Sequence, residues 1–287
     1  KREQDAATRD RRADMEHLCE LLDHYGAPHP HAEATHYFGR IGRFWLKWES
    51  HTEFVTYTAF ANHLSERAFD PADFEVFPEE WLAEAPGGRV TSALIRVAPM
   101  PEDARVSESL SDWFVSESLA VSRVLDGAAL IAGDFCIDPA GHQRFAVFVA
   151  PDTGERRIGR IVQRICEIEA YKSASMLGFA NLRDMGPRMS EIDSELSGLM
   201  AEMTGEGCAA EDTLAGWLQV SAEIENLGAQ SAFRFGATGA YEAIVNQRIE
   251  ALREGRFRGR QTLAEFMMRR YDPARRTVKS GQARLAS

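Results

Sequence analysis

The chain has 287 residues, of which 44% are hydrophobic, including five Trp and sixteen Phe. That apolar content can fill a core, which excludes wholesale disorder and leaves room for two domains or for one domain and an elongated helical region. The net charge of −11 argues against general nucleic-acid binding, and no run of about 18 apolar residues is present to span a bilayer.

The N-terminal stretch from Lys1 to Arg12 is highly charged and has no apolar segment, so it does not read as a secretory signal. It also lacks an initiator Met, which is expected of a piece of a longer protein. A helix is predicted over Asp5–Tyr25, with Met15, Leu18, Leu21 and Leu22 on one stripe and Gly26 and Pro28 ending it. A loop carrying His29, His31 and His36 follows. From Arg43 to Phe60 a β-hairpin is expected: Phe44, Leu46 and Trp48 alternate with Arg43, Lys47 and Glu49, and Phe54, Thr56, Thr58 and Phe60 continue on the return strand. A three-residue link, Ser50-His51-Thr52, would set Trp48 opposite Phe54 and Trp45 opposite Tyr57. Short elements come next: a helix near Glu79–Glu84, a strand over Arg89–Ala98 and a helix over Glu102–Phe114. A second hairpin pairs Ala128–Asp138 with Gln143–Val149 across Pro139-Ala140-Gly141.

The pattern changes near Pro151 and helical periodicity takes over. Ile158, Ile161, Ile165 and Ile168 form one seam at steps of three and four, and Ile192, Leu196, Leu199 and Met203 form another. Gly205 and Gly207 mark a turn. A further helix over Glu211–Glu254 would extend roughly 65 Å if unbroken, and a last one covers Gln261–Tyr271 and continues past Pro273. The expected fold class is α+β. A mixed, mostly antiparallel α/β head over residues 1–151 precedes long coiled-coil-like helices forming a stalk over 152–287; the alternative for this second half is a compact globular helical domain.

Candidate chemistry concentrates in Lys47-Trp48-Glu49-Ser50-His51-Thr52-Glu53. In the register above, Glu49 and Glu53 face each other beside the turn with His51 at its tip. Two carboxylates that close repel, so one should titrate high unless Lys47, His51 or a metal joins them, and such a cluster could do acid–base work. The alternative is a solvated charge ladder at an ordinary hairpin tip. His24, His29, His31 and His36 offer imidazoles suited to a metal, but their Pro-interrupted loop fits a solvated segment better. Asp134, inside an apolar strand, should find a donor or face water. Cys19, Cys136, Cys166 and Cys208 form no CxxC pair and no zinc spacing, so a reduced, cytoplasmic setting without disulfides is expected. No cofactor motif is present.

Charge is uneven. From Arg256 to the end there are nine basic residues and two acidic ones, a surplus of +7, which leaves −18 on the rest. Arg269, Arg270, Arg275, Arg276 and Lys279 form the densest part of this segment. It reads as a solvated helix face, a contact for an acidic polymer, or a patch lying against an anionic bilayer.

Four stretches, "GRFWLKWESHTEFVTYTAF", "SRVLDGAALIAGDFCIDPAGHQRFAVFV", "GRIVQRICEIEAYKSASMLG" and "RGRQTLAEFMMRRYDPARRT", resemble in order a bacterial family of uncharacterised membrane-anchored proteins, the domain of unknown function family 3422. The resemblance runs from about Arg12 to Thr277. It implies two hydrophobic segments beyond this chain, with the basic segment just before the membrane and the rest on the cytoplasmic face of the bacterial inner membrane. It brings no catalytic residues. In layout alone the chain is also similar to CorA-type magnesium channel-transporters and to proteins related to yeast meiotic-division sporulation factors. Three functional expectations follow. The first is a non-enzymatic, homo-oligomeric scaffold, sensor or ligand-binding region, meeting an anionic membrane surface and an unidentified small ligand or ion. The second is the cytoplasmic funnel of a CorA-like channel. The third is an enzyme using Glu49, His51 and Glu53.

Overall fold

The computed structural model describes residues 10–204 and 210–286. The expected start of the first helix before Asp10, the turn at Gly205 and Gly207, and Cys208 lie outside the described residues. In chain order the elements are α1 (Arg11–His24), β1 (His36–Ile41), β2 (Phe44–Ser50), β3 (Val55–Phe60), a 3-10 turn (Pro71–Phe74), α2 (Glu79–Ala83), β4 (Ala93–Pro99), α3 (Asp103–Trp113), β5 (Ala120–Val124), β6 (Ala129–Gly133), β7 (Gln143–Val149), α4 (Glu155–Thr204), α5 (Ala210–Glu250), β8 (Gly255–Arg256), α6 (Leu263–Arg270) and α7 (Asp272–Ala286). The fold is α+β. Two compact units divide the chain: an α+β unit up to Leu119 together with Ala129–Asp152, and a helical unit made of Ala120–Ala128 and the chain from Thr153 onward.

In the α+β unit, the Asp10 carboxylate accepts from the backbone N–H groups of Arg12 and Ala13 and so caps α1. Gly26, at φ +61°, turns the chain out of it. Strands β1, β2 and β3 form an antiparallel meander in that order. One face buries Ile41, Phe44, Leu46 and Trp48 against Leu18, Leu21 and Leu22 of α1 and against Val76, Phe77 and Trp81. The Trp81 indole donates to the His17 carbonyl at 2.8 Å and its ring stacks on the His17 imidazole at 4.1 Å. The unit's second sheet segment is mixed: β4 runs parallel to β7, and β6 pairs antiparallel with β7.

Two expectations are corrected here. The histidine loop ends earlier than expected, because His36–Ile41 is a strand paired along its length with β2. Gly42, at φ +53°, makes the turn between them. The second correction is register. Trp48 faces Tyr57, and Trp45 faces Phe60. The link is four residues long: the His51 N–H donates to the Phe54 carbonyl at 2.9 Å and the two rings lie 4.6 Å apart, which places Phe54 in the turn. The slip of three residues turns the return strand over, because side chains alternate with a period of two.

In the helical unit, α4 and α5 pack as an antiparallel pair. Glu167 meets Arg248, Gly178 meets Thr238 and Leu199 meets Gly216, so positions rise on one helix as they fall on the other. The two seams read separately at Ile158–Ile168 and Ile192–Met203 belong to one 50-residue helix, about 75 Å long, which runs through Pro187. The side chain of Thr238 occupies the space that a Cβ on Gly178 would need, so glycine permits the close approach. Leu182, Met189, Phe235 and Val278 then form a core shared by α4, α5 and α7. Helix α6 starts with a capping box, Thr262 and Glu265 bonding each other's backbone. No helix among the described residues is long and apolar enough to cross a membrane.

Candidate functional site

Alternation of exposed and buried positions along β1 and β2 leaves a second face outward, while β3 is half-buried throughout. Its residues stand in three cross-strand rows: His36, Glu49 and Thr56; Phe38, Lys47 and Thr58; Arg40, Trp45 and Phe60. Two large aromatics in this grid are not covered. Phe38 is 63% and Trp45 40% exposed, and their rings stack at 5.3 Å with planes 10° apart. Diagonal neighbours on a sheet are within reach of each other when the side chains are aromatic, which accounts for the stack. Lys47 lies beside both and holds Glu49 at 2.8 Å. The Arg40 guanidinium donates to the Gly42 carbonyl at 3.1 Å at the edge of the platform, and Arg43 sits 4.9 Å over the Phe44 ring. The result is an aromatic pair with Arg40 and Lys47 beside it and Glu49 the opposing charge in the grid; Arg43 lies instead toward Phe44 of the inner face.

The acid–base reading of this region loses its geometry. Glu49 stands opposite Thr56 and His36, while Glu53 lies in the turn, so the two carboxylates do not face each other across the strands. The His51 ring is within 3.4 Å of the Thr56 hydroxyl and packs on Phe54. Of the speculative set, an ion pair joins Lys47 and Glu49, the His51 ring meets Thr56, the residue opposite Glu49, and Glu53 lies in the turn. The histidines disperse as well. His29 pairs with Asp23 at 2.7 Å, the His31 ring accepts from the Glu33 N–H at 3.3 Å, and His36 is on β1. Among the described residues no group of three or more His, Cys, Asp or Glu could hold a metal ion.

The C-terminal cations split into two kinds. Arg269, Arg270 and Arg276 are exposed. Arg275 is buried, paired with Asp272 and lying 3.7 Å from Glu242 and 3.4 Å from Asn246. Lys279 reaches Glu242 at 3.1 Å, and Arg284 bonds Asp193 and the Met189 carbonyl. Arg275 therefore serves the inside of the helical unit and cannot contact an outside surface. Sequence reasoning saw only the run of positive charge, because, Asp272 apart, the carboxylates that take it up are Glu242 on α5 and Asp193 on α4, dozens of residues away.

Other buried polar groups are structural in their contacts. Asp134 accepts from the Val115 and Cys136 N–H groups at 2.9 and 3.1 Å, the donors its burial demands. Glu169 and Lys172 form a fully buried pair at 2.5 Å. Glu254 accepts from the Ser122 hydroxyl and from the Leu263 and Ala264 N–H groups at the start of α6. Burial pushes its carboxyl up, against the pull of those hydrogen bonds. It borders an open cavity of about 400 Å³ with Glu250, Arg256 and Glu265. The sequence missed Phe38, Arg40 and Glu254. The first two had a signal in the alternation His36-Tyr37-Phe38-Gly39-Arg40-Ile41, interrupted by Gly39, which has no side chain to continue it; Glu254 had none.

No curated protein and no solved structure matches the chain. The family model described as "Protein of unknown function (DUF3422)" matches residues 4–287, nearly the whole length, and the chain belongs to that family.

Proposed function

We propose that the chain is a recognition module without catalytic chemistry of its own, in which the outer face of the β1–β3 meander binds another protein through Phe38 and Trp45. The observation that carries this is the exposed stacked pair with Arg40 and Lys47 beside it in the same grid. Aromatic and arginine side chains dominate the energetics of protein interfaces, and leaving two such rings in water is unfavourable unless something covers them. A sheet face offers area in place of an enclosing cleft, which suits a protein surface better than a small ligand. The positive surplus on the face selects a partner surface bearing carboxylates.

In this reading the long helices are the stalk of an oligomeric scaffold. The C-terminal end lies near the cytoplasmic face of a bacterial inner membrane, held by segments beyond this chain. The four family stretches support that placement, and the exposed Arg269, Arg270 and Arg276 fit it.

The test uses the full-length gene product in its own cells with a photo-crosslinking side chain in place of Phe38. A defined adduct that disappears with Trp45→Ser or Arg40→Glu is expected, while the same crosslinker at exposed Val90 should give none. Equal adducts from both positions, or an adduct that survives both substitutions, would refute the platform. Protease added to spheroplasts and to inverted vesicles checks the placement: cleavage in inverted vesicles alone is expected.

A further inference from the structure

We propose that the outer edge of β1 pairs with the same edge of a second copy of this chain, joining two meanders into one six-stranded antiparallel sheet. This contact uses the edge of the meander, whereas the aromatic platform is its face, and either can fail alone.

The sheet order leaves β1 at an edge, with β2 as its strand partner. The Ser50 N–H donates to the Thr35 carbonyl at 2.8 Å, one step along the ladder from the His36–Glu49 pair. Residues facing each other across an antiparallel ladder alternate between bonded and non-bonded pairs. Tyr37, Gly39 and Ile41 therefore direct their backbone groups at β2, and the N–H and C=O groups of His36, Phe38 and Arg40 point away from it. Among the described residues nothing bonds these outward groups. The three residues are exposed, whereas the opposite edge strand, β3, is half-buried along its whole length. A row of open backbone donors and acceptors is a template for another strand, and native edges are often blocked by proline or a bulge. Strand β1 has neither, since its register runs unbroken from His36 to Ile41.

Symmetry selects the occupant. The open groups stand at every second residue and are centred on Phe38, so a second β1 running antiparallel meets them in kind. With the two-fold axis at Phe38, Phe38 faces Phe38, and His36 of each copy faces Arg40 of the other. All three are bonded pairs, and each exchanges two backbone hydrogen bonds. A slip of two residues in either direction leaves only two such pairs, so the register is set by the strand itself.

The side chains agree on both faces. Outside, the stacked rings of Phe38 and Trp45 would meet their twins, and aromatic pairs across neighbouring strands are favourable. Arg40 of one copy would stand next to His36 of the other, with Glu49 the next residue in that row, so the cation gains a nearby carboxylate. Inside, Tyr37 would face Gly39. The Tyr37 hydroxyl already occupies the space that a Cβ on Gly39 of its own chain would need. The missing side chain at Gly39 therefore keeps the inner rim clear for the second strand.

The test uses the whole chain. Sedimentation equilibrium should show a dimer forming in the micromolar range. The sequence has four lysines, Lys1, Lys47, Lys172 and Lys279. In the joined sheet the two Lys47 residues are three strand spacings apart, about 14 Å, within reach of an amine-to-amine cross-linker. A peptide pair linking Lys47 to Lys47 is expected, and such a link can only come from two copies. Arg40→Pro places a ring in the path of the second strand and removes an N–H that β2 does not use, as proline on an edge strand can. It should weaken the dimer by about tenfold or more and abolish the Lys47 link, with circular dichroism and the urea midpoint unchanged. His36→Pro, at the first residue of the strand, should do the same and stands in if Arg40→Pro does not fold. Trp45→Ser strips the face but leaves the edge, so the Lys47 link should survive it even where capture of another protein is lost. A chain that stays monomeric up to about 100 µM would overturn the proposal. So would a dimer without the Lys47 link, or one that both prolines leave undiminished, since the copies would then meet elsewhere.

Discussion

Replacing Arg275 by alanine should loosen α7 from the hairpin, and the structure sets the size of the effect. The guanidinium is 7% exposed and serves Asp272, Glu242 and Asn246. Removing one partner of a fully buried ion pair costs about 3–5 kcal/mol, because the other charge stays behind without compensation. Here the stranded groups are partly wet, Glu242 at 17% and Asp272 at 26% exposure, and Lys279 still reaches Glu242. The loss should therefore fall to about 2–3 kcal/mol. Lost packing of the arginine stem contributes in the same direction. The matched comparison is Arg276→Ala, one position along and exposed, which should stay within about 0.5 kcal/mol. Hydrogen exchange over residues 272–286 reads the local effect directly. Protection there should fall in Arg275→Ala and hold in Arg276→Ala. Salt should change the result little, since a buried pair is weakly screened. If the two variants lose the same stability, or if exchange in α7 is unchanged by Arg275→Ala, then Arg275 does not anchor the helix.

Three further outcomes are expected. Gly178→Ala would push a Cβ into the Thr238 hydroxyl, so urea unfolding should show a loss of about 1–3 kcal/mol. Adding Thr238→Ala, which removes the crowding hydroxyl and methyl, should recover part of it. Thr262→Ala breaks the capping box of α6 and should cost about 1 kcal/mol in the same assay. The third concerns pH. Burial holds the His17 imidazole below its usual range, against the nearby Glu20, and burial likewise holds His142 low, against Asp138. A base with a folded pKa below its unfolded one stabilises fully above the unfolded value, about 6.5, and loses that contribution as pH falls through the folded value. Urea midpoints should therefore drop on acidification below about pH 6.5, and His17→Gln should flatten part of the slope. An unchanged slope in that variant would remove His17 from the account.

The α+β class, the amphipathic first helix, the long helical second half and the family were legible in the sequence. Each is written in short-range periodicity, as with Leu18, Leu21 and Leu22 at helical spacing or Phe44, Leu46 and Trp48 in alternation, and in four family stretches spread over most of the chain. The candidate site was only partly legible. Lys47 and Glu49 were found, but their companions Phe38 and Arg40 stand on a strand concealed by its glycine, and the register that removes Glu53 depends on whether Phe54 joins the turn. A local pattern does not carry that choice, because the energy that sets it comes from packing Tyr57 and Trp48 on one face over α1 and α2. The same limit applies to the basic C-terminal segment. Sequence alone determined that these cations exist and sit on a helix; only the tertiary structure decided that Lys279 and Arg284 belong to acids on α5 and α4 and that Arg275 reaches Glu242 besides its neighbour Asp272, because pairing between charges depends on distance in space, and 37 positions of chain separate Glu242 from Lys279.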